Sequence, residues 1–361
     1  MAMDAAVASL GRRGLLPPPW KGGAAGLDAR DRVDYRDRYR GALLGVAIGD
    51  ALGRPAESRP PAQIRAAYGV LRDYVPWPGW AGGPIGTITD DTQMTMCVAG
   101  SYLRHRRLDP VDLAARFEGW LDYGRGKGRT CTRACLNLRS GMPWWEAGVE
   151  SAGNGAAMRA APVGLAHPRS PEGIRSDGAV SAVITHADPM AVVSAVAVGY
   201  VVAYLLHRSP STIDFDDLMG GLAAVTGDLN DPGAPERKPG GRVPVSLADR
   251  LAEVPGLLGV EPERAFGYLR NGAYVLESLP AALWCFLEEA GDPEQAVVLA
   301  ANGGYDADTV ASMAGAFSGA LHGESAWPRR WLDDLEYADE LRALADGLLE
   351  IGDPEAVSQG R

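Results

Sequence analysis

The chain has 361 residues, 46% of them hydrophobic, and a formal net charge of -11. That length fits one large domain or two ordinary ones, with apolar residues enough for a sizeable core. The acidic balance argues against general binding to nucleic-acid phosphates, although a small anionic ligand needs only a local donor site.

Positive charge is nearly all arginine, since Lys21, Lys127 and Lys238 are the only lysines. With many Ala, Gly and Pro residues, this is the composition expected of a high-GC bacterial genome. Cys97, Cys131, Cys135 and Cys285 form no CxxC pair. Reduced, buried thiols and a cytoplasmic location are therefore expected, rather than a zinc or disulfide-exchange motif.

Residues 1–33 are rich in Gly, Pro and Ala and show little periodicity. They read as an extended arm, partly disordered or docked on the body. They lack the basic start and long apolar core of a signal peptide. The body begins near Asp34. Gly41, Gly45, Gly49 and Gly53 recur every four residues in "GALLGVAIGDALG". Glycine costs a helix about 1 kcal/mol relative to alanine, so such a stripe predicts very close approach of another helix or a ligand.

Helical spacing follows "TDDT" at Met94, Cys97, Val98 and Tyr102, and again at Leu113, Phe117 and Trp120. The apolar run 190–206 is short for a bilayer crossing and reads as a buried helix, so no membrane partner is expected. Residues 226–262 carry many Pro and Gly and read as an irregular surface excursion. Helical spacing returns at Leu279, Ala282, Leu283 and Phe286. It continues at Val310, Met313, Ala314, Phe317 and Leu321, beside a second glycine stripe at Gly315, Gly319 and Gly323. Strand-type alternation is scarce. The expectation is an all-α fold, one compact helical domain over 34–350.

Two acidic stretches stand out. "TITDDTQ" places Thr89, Asp90 and Asp91 where a loop turns into a helix, and "GGYDADT" does the same with Asp306, Asp308 and Thr309. Hydroxyl and carboxylate oxygens of this kind suit Mg²⁺, and two such clusters can clamp two ions. The competing reading is capping. Thr and Asp are favoured N-caps, and acids suit a first helical turn.

Five blocks now matter in order: "GALLGVAIGDALGRPAE" (41–57), "GPIGTITDDTQMTM" (83–96), "GNGAAMRAAPVGL" (153–165), "THADP" (185–189) and "DADTVASMAGAFSGALHG" (306–323). Together they resemble the ADP-ribosylglycohydrolase family over roughly residues 36–335. The resemblance implies an orthogonal all-α bundle with two Mg²⁺ or Mn²⁺ ions. It assigns Thr89, Asp90 and Asp91 to the first metal cluster and Asp306, Asp308 and Thr309 to the second. Glu57 matches an acid that acts in catalysis in some members; its plain alternative is a solvated carboxylate past a helix end. Asp50 reads as a helix-end residue bonding backbone amides. Ser151, Gly153, Asn154 and Gly155 would line an ADP-ribose site with Met158 packed beneath. Arg159 would contact a phosphate or tie carbonyls together. His186 would lie near the diphosphate or distal ribose, or else cap the following helix.

The implied chemistry is hydrolysis at C1″ of an ADP-ribosylated protein or small molecule. The ions would hold the ribose hydroxyls, and Glu57, Asp90 or Asp91 would take the water's proton. Three departures bear on the substrate. Tyr305 precedes Asp306 where the family has glycine, which puts an aromatic ring beside the ligand site. Ala152 stands where an adenine-stacking aromatic is common. The loop 122–130 is basic, with Arg125, Lys127 and Arg129, where the arginine-specific branch often has an acid. These leave open a small-molecule riboside substrate, or a non-catalytic ADP-ribose-binding protein. Oligomeric state is not legible.

Overall fold

The computed structural model describes residues 2–28, 31, 33–77, 84–229 and 246–353. Among these, eighteen α-helices and four 3₁₀ turns account for the regular structure, with two isolated β-bridges and no strand. The all-α expectation is met.

At the centre, the helix Tyr35–Gly53 lies antiparallel against the helix Ala307–His322. The two glycine stripes are the reason. A Cβ at Gly45 would strike the Gly315 carbonyl, one at Gly49 the Ala311 carbonyl, and one at Gly53 the Ala307 carbonyl at 2.5 Å. Without those side chains the backbones touch, and the C-terminal end of the first helix meets the N-terminal end of the second. Asp50 and Asp308 are thereby placed in one neighbourhood.

Other helices wrap this pair. Pro189–Leu205 is buried along almost its whole length, which explains why it carries no charge. No helix among the described residues is long and apolar enough to cross a membrane. Many starts share one local device. Asp109, Ser170, Asp188 and Asp292 each cap a helix whose first residue is proline. The cap side chain satisfies a free backbone N–H, and proline at the first position needs none.

The sequence expectations need two adjustments, while the reading of the cysteines holds. The N-terminal arm is not extended throughout: Ala2–Arg12 is helical. The rest of its described residues form a strap with Leu15 and Leu27 buried. Arg175 donates to the Pro18 carbonyl (3.0 Å), Arg208 to that of Gly26 (2.6 Å), and Tyr200 to that of Ala25 (2.8 Å). In the excursion 226–262, residues 230–245 lie outside the described residues. The following piece is ordered into the helix Leu247–Ala252, with a Ser246–Asp249 capping box, and a 3₁₀ turn Val254–Leu257. All four cysteines are buried and unpaired, and all lie in helices.

Candidate functional site

The helix Asp90–His105 begins at Thr89, but the Thr89 side chain does not cap it. Asp50 does so from the neighbouring helix. Its carboxylate accepts from Thr89 N (2.8 Å), Thr89 Oγ1 (2.6 Å), Thr92 N (3.1 Å) and Thr92 Oγ1 (2.5 Å). Thr89 spends its hydroxyl proton on Asp50, so its oxygen keeps lone pairs for another partner. Asp306 likewise opens the Ala307–His322 helix without a side-chain cap bond. Plain N-capping therefore does not account for Thr89 or Asp306.

The carboxylates crowd one another. Asp91 is 2% exposed, and its Oδ1 has no hydrogen-bond partner among the described residues. Burial, then the charges of Asp50 and Asp308, push its pKa well up. Burial and Asp50 raise Asp90 to about 7. Asp308 is pushed up by burial and by Asp306. Burial lifts Asp306 to about 6, against bonds from Asn154 and Thr309. A buried carboxylate oxygen without a donor is costly, and like charges in low dielectric add to the cost. A hard divalent cation relieves both, and the donor set is the oxygen set such a cation takes. The residues present fit the ions.

Glu57, Asp306 and Asp308 can each bring one carboxylate oxygen to within 4.8 Å of the others. Glu57 arrives there because residues 58–59 pair with Tyr305: Ser58 N donates to Tyr305 O (2.5 Å) and Tyr305 N to Arg59 O (2.8 Å). Gly304 and Tyr305 both have positive φ, at 74° and 57°, which turns the chain sharply before Asp306. Tyr305 itself is 53% exposed at the rim. Arg54, stacked on Trp77, forms ion pairs with Glu57 and with Asp308 (3.5 Å). Arg54 stands in no motif of its own, and its signal in the sequence is its place three residues before Glu57.

The glycine-rich segment reaches the same centre. Asn154 donates from Nδ2 to Asp306 Oδ2 at 2.5 Å. Its backbone is pinned by Asn154 N to Ala273 O and Val275 N to Ala152 O, both 3.0 Å. The resulting bridge sets Tyr274 beside Gly153. An aromatic residue thus comes to the segment from a distant part of the chain, although Ala152 offers none. Ser151 Oγ lies 3.1 Å from Thr130 Oγ1, and Met158 is buried.

Arg159 ties protein groups together. It is fully buried over Phe117 and bonds Gly155 O, Ser181 O and Thr185 Oγ1. His186 is buried against the segment and does not cap the next helix, a role taken by Asp188. The basic loop curls over the first cluster: Gly128 N donates to Asp90 Oδ2 (3.2 Å), and Arg125 pairs with Glu336 (2.6 Å). Lys127 and Arg129 remain exposed.

The family model described as ADP-ribosylglycohydrolase matches residues 31–356. An uncharacterized protein of Archaeoglobus fulgidus is 33% identical, covering 87% of this chain and 97% of its own. ADP-ribosylarginine hydrolase Tri1 of Serratia proteamaculans is 30% identical over 88% of this chain and 81% of its own. ADP-ribosylhydrolase ARH3 of Bos taurus is 30% identical over 91% and 96%. A solved structure titled ADP-ribosylglycohydrolase-related protein complex superposes with a TM-score of 0.67 at 30% identity, covering 88% of this chain and 99% of that one. The chain belongs to the ADP-ribosylglycohydrolase family.

Proposed function

We propose that this chain is a metal-dependent hydrolase that cleaves the ribosyl C1″ bond of an ADP-ribosylated substrate and releases ADP-ribose. One observation carries the reading. The buried carboxylates of two distant helix starts converge, with an unpartnered Asp91 oxygen, next to a glycine-rich segment that bonds one of them.

Thr89, Asp90, Asp91, Asp306, Asp308 and Thr309 would hold two Mg²⁺ or Mn²⁺ ions, which when bound supply the charge that orients a ribose diol and polarises water. Asp50 holds Thr89 in place, and Asn154 holds Asp306. The amides and small residues of 151–155 allow close approach of a diphosphate and ribose. Tyr274, bridged to Gly153, would offer a flat surface for the base. Glu57, at the edge of the acidic group and partly exposed, would take a proton from the attacking water or assist departure of the acceptor. Proton removal at this edge suits an oxocarbenium-like transition state, where the bond to the acceptor breaks early.

The relatives named as ADP-ribosylarginine hydrolase and ADP-ribosylhydrolase support an ADP-ribosyl substrate. A second reading, hydrolysis of a small riboside, draws on the exposed Tyr305 ring next to Asp306, which would narrow the approach for a bulky acceptor. The test is ADP-ribose release from ADP-ribosyl-arginine, ADP-ribosyl-serine and O-acetyl-ADP-ribose with Mg²⁺, Mn²⁺ or EDTA. Metal-dependent release from any of them supports the proposal and identifies the bond. No release from the panel, together with turnover of a smaller riboside, moves the function to the second reading.

A further inference from the structure

His186 is held from two sides. Its backbone forms an isolated parallel bridge with Val149, through Val149 N to Thr185 O (3.0 Å) and Ala187 N to Val149 O (2.8 Å). Val149 lies two residues before Ser151, so this bridge sets the register between the imidazole and the glycine-rich segment. The ring edge faces that segment where side chains are missing. A Cβ at Gly155 would lie 2.7 Å from His186 Cε1 and 3.1 Å from Nε2, and one at Gly153 would lie 3.4 Å from Nε2. His186 is 2% exposed. Its Nδ1 lies 2.8 Å from Thr185 Oγ1, whereas Nε2 has no protein partner among the described residues.

The proton positions follow from what each group can do. A guanidinium donates and never accepts, so Thr185 Oγ1 must be the acceptor of the 2.6 Å bond from Arg159 Nη2. The Thr185 hydroxyl proton is then free for its other neighbour, His186 Nδ1. Thr185 Oγ1 has a second lone pair, so an Nδ1–H donor also fits this contact; where Nδ1 is instead the acceptor of the hydroxyl proton, the hydrogen of the neutral imidazole sits on Nε2.

We propose that Arg159, acting through Thr185, is a positioning residue that locks His186 as the Nε2–H tautomer, presenting a neutral N–H donor to an acceptor oxygen of the ADP-ribose held at residues 151–155. The proposal rests on the ADP-ribose reading above. Burial, then the nearby charge of Arg159, holds His186 neutral by lowering its pKa to about 3. The ring therefore contributes direction and not charge: it suits a phosphate or hydroxyl oxygen and rejects a group that can only donate. The same guanidinium bonds Gly155 O and Ser181 O, so one side chain sets both the glycine-rich backbone and the proton position of the ring facing it.

The test uses full-length protein with ¹⁵N-labelled histidine and long-range ¹H–¹⁵N correlation, His186 being assigned by its absence in His186→Gln. The expected spectrum of the unliganded protein shows a protonated Nε2 and a bare Nδ1. Thr185→Val should perturb that signature and weaken ADP-ribose binding about tenfold in calorimetry, one well-placed hydrogen bond's worth. Thr185→Ser, which keeps the hydroxyl, should restore both. A protonated Nδ1 in the parent protein overturns the proposal, as does a Thr185→Val variant with unchanged spectrum and affinity. Arg159→Lys, which takes the guanidinium away from Thr185 Oγ1, should perturb the same signature; if that variant fails to fold, the Thr185 pair still decides. A parent protein with the expected tautomer that binds no ADP-ribose would refute the proposed function and the ligand role of His186, leaving only the tautomer lock.

Discussion

Asp50 accepts from both the backbone N–H and the hydroxyl of Thr89, at 2.8 and 2.6 Å, and so fixes the first acidic cluster from the neighbouring helix Tyr35–Gly53. Two further bonds from Thr92 complete its shell. Asp50→Ala should leave these buried donors unmatched and cost about 3 kcal/mol of stability. It should also weaken Mn²⁺ binding by displacing Thr89. Thermal melts of the metal-free protein and Mn²⁺ titration check the two effects separately. Lost metal binding with an unchanged melt would make Asp50 a ligand and not a support.

The crowded carboxylates lead to a less obvious expectation. Asp91→Asn removes a buried charge that has no donor at Oδ1 and is repelled by Asp50, Asp308, Asp90 and Asp306. The metal-free variant should therefore melt higher than the parent at pH 8, while binding Mn²⁺ far more weakly and losing activity. Combining it with Asp308→Asn should extend both changes. A variant that kept full metal content and activity would remove these residues from the metal set.

Stability should depend on pH in a direction set by raised pKa values. Asp90 and Asp306 titrate near 7 and 6 in the folded chain, above the 3.8 of an unperturbed aspartate. The folded state thus binds more protons than the unfolded state between about pH 4 and 7. Their contribution is complete below pH 4 and is lost as pH rises through 6 to 7. The melting temperature in EDTA should include this decline. Mn²⁺ should reverse it, with a larger stabilisation at pH 8 than at pH 6, because ions compete with those protons. Equal stabilisation at both pH values would count against binding at these carboxylates.

The glycine stripes can be tested with a built-in control. Gly45→Ala and Gly315→Ala gain helix propensity but drive a Cβ into the facing backbone, so a net loss of about 3 kcal/mol is expected. Gly11→Ala and Gly220→Ala sit in helices with nothing within 4 Å of the new Cβ, and should stabilise by about 0.5–1 kcal/mol. Denaturant midpoints compare the two pairs. Mn²⁺ affinity should fall for the first pair alone, because it separates Asp50 from Asp308.

Tyr305 holds a φ of 57°, which glycine adopts without strain. Tyr305→Gly should be neutral or slightly stabilising and should open the rim. The expected kinetic change is a lower KM for bulky acceptors with kcat little altered. Unchanged KM across substrates of different size would remove Tyr305 from acceptor selection.

Much of this site was legible locally. Thr89, Asp90 and Asp91 announce an oxygen cluster at a helix start, as do Asp306, Asp308 and Thr309. Gly41 through Gly53 announce a close helix contact without naming its partner. The Asp-Pro starts at 109, 188 and 292, found in the structure, are local in the same sense, since capping and proline geometry act within one turn. Residue type and spacing determine such features because the interactions span only a few positions.

Other relationships depend on groups far apart in sequence. Asp50 caps a helix 39 residues onward. Tyr274 comes to Gly153 through a bridge, and Glu57 reaches Asp306 because Ser58 and Arg59 pair with Tyr305. Arg159 was equally consistent with binding phosphate until its donors met Gly155, Ser181 and Thr185. By itself the sequence determined the helical class, the glycine contact and the two oxygen clusters. Only the tertiary structure decided which buried groups find partners and which, like Asp91 Oδ1, do not. That outcome depends on desolvation and on hydrogen bonds between helices, neither of which exists before they pack.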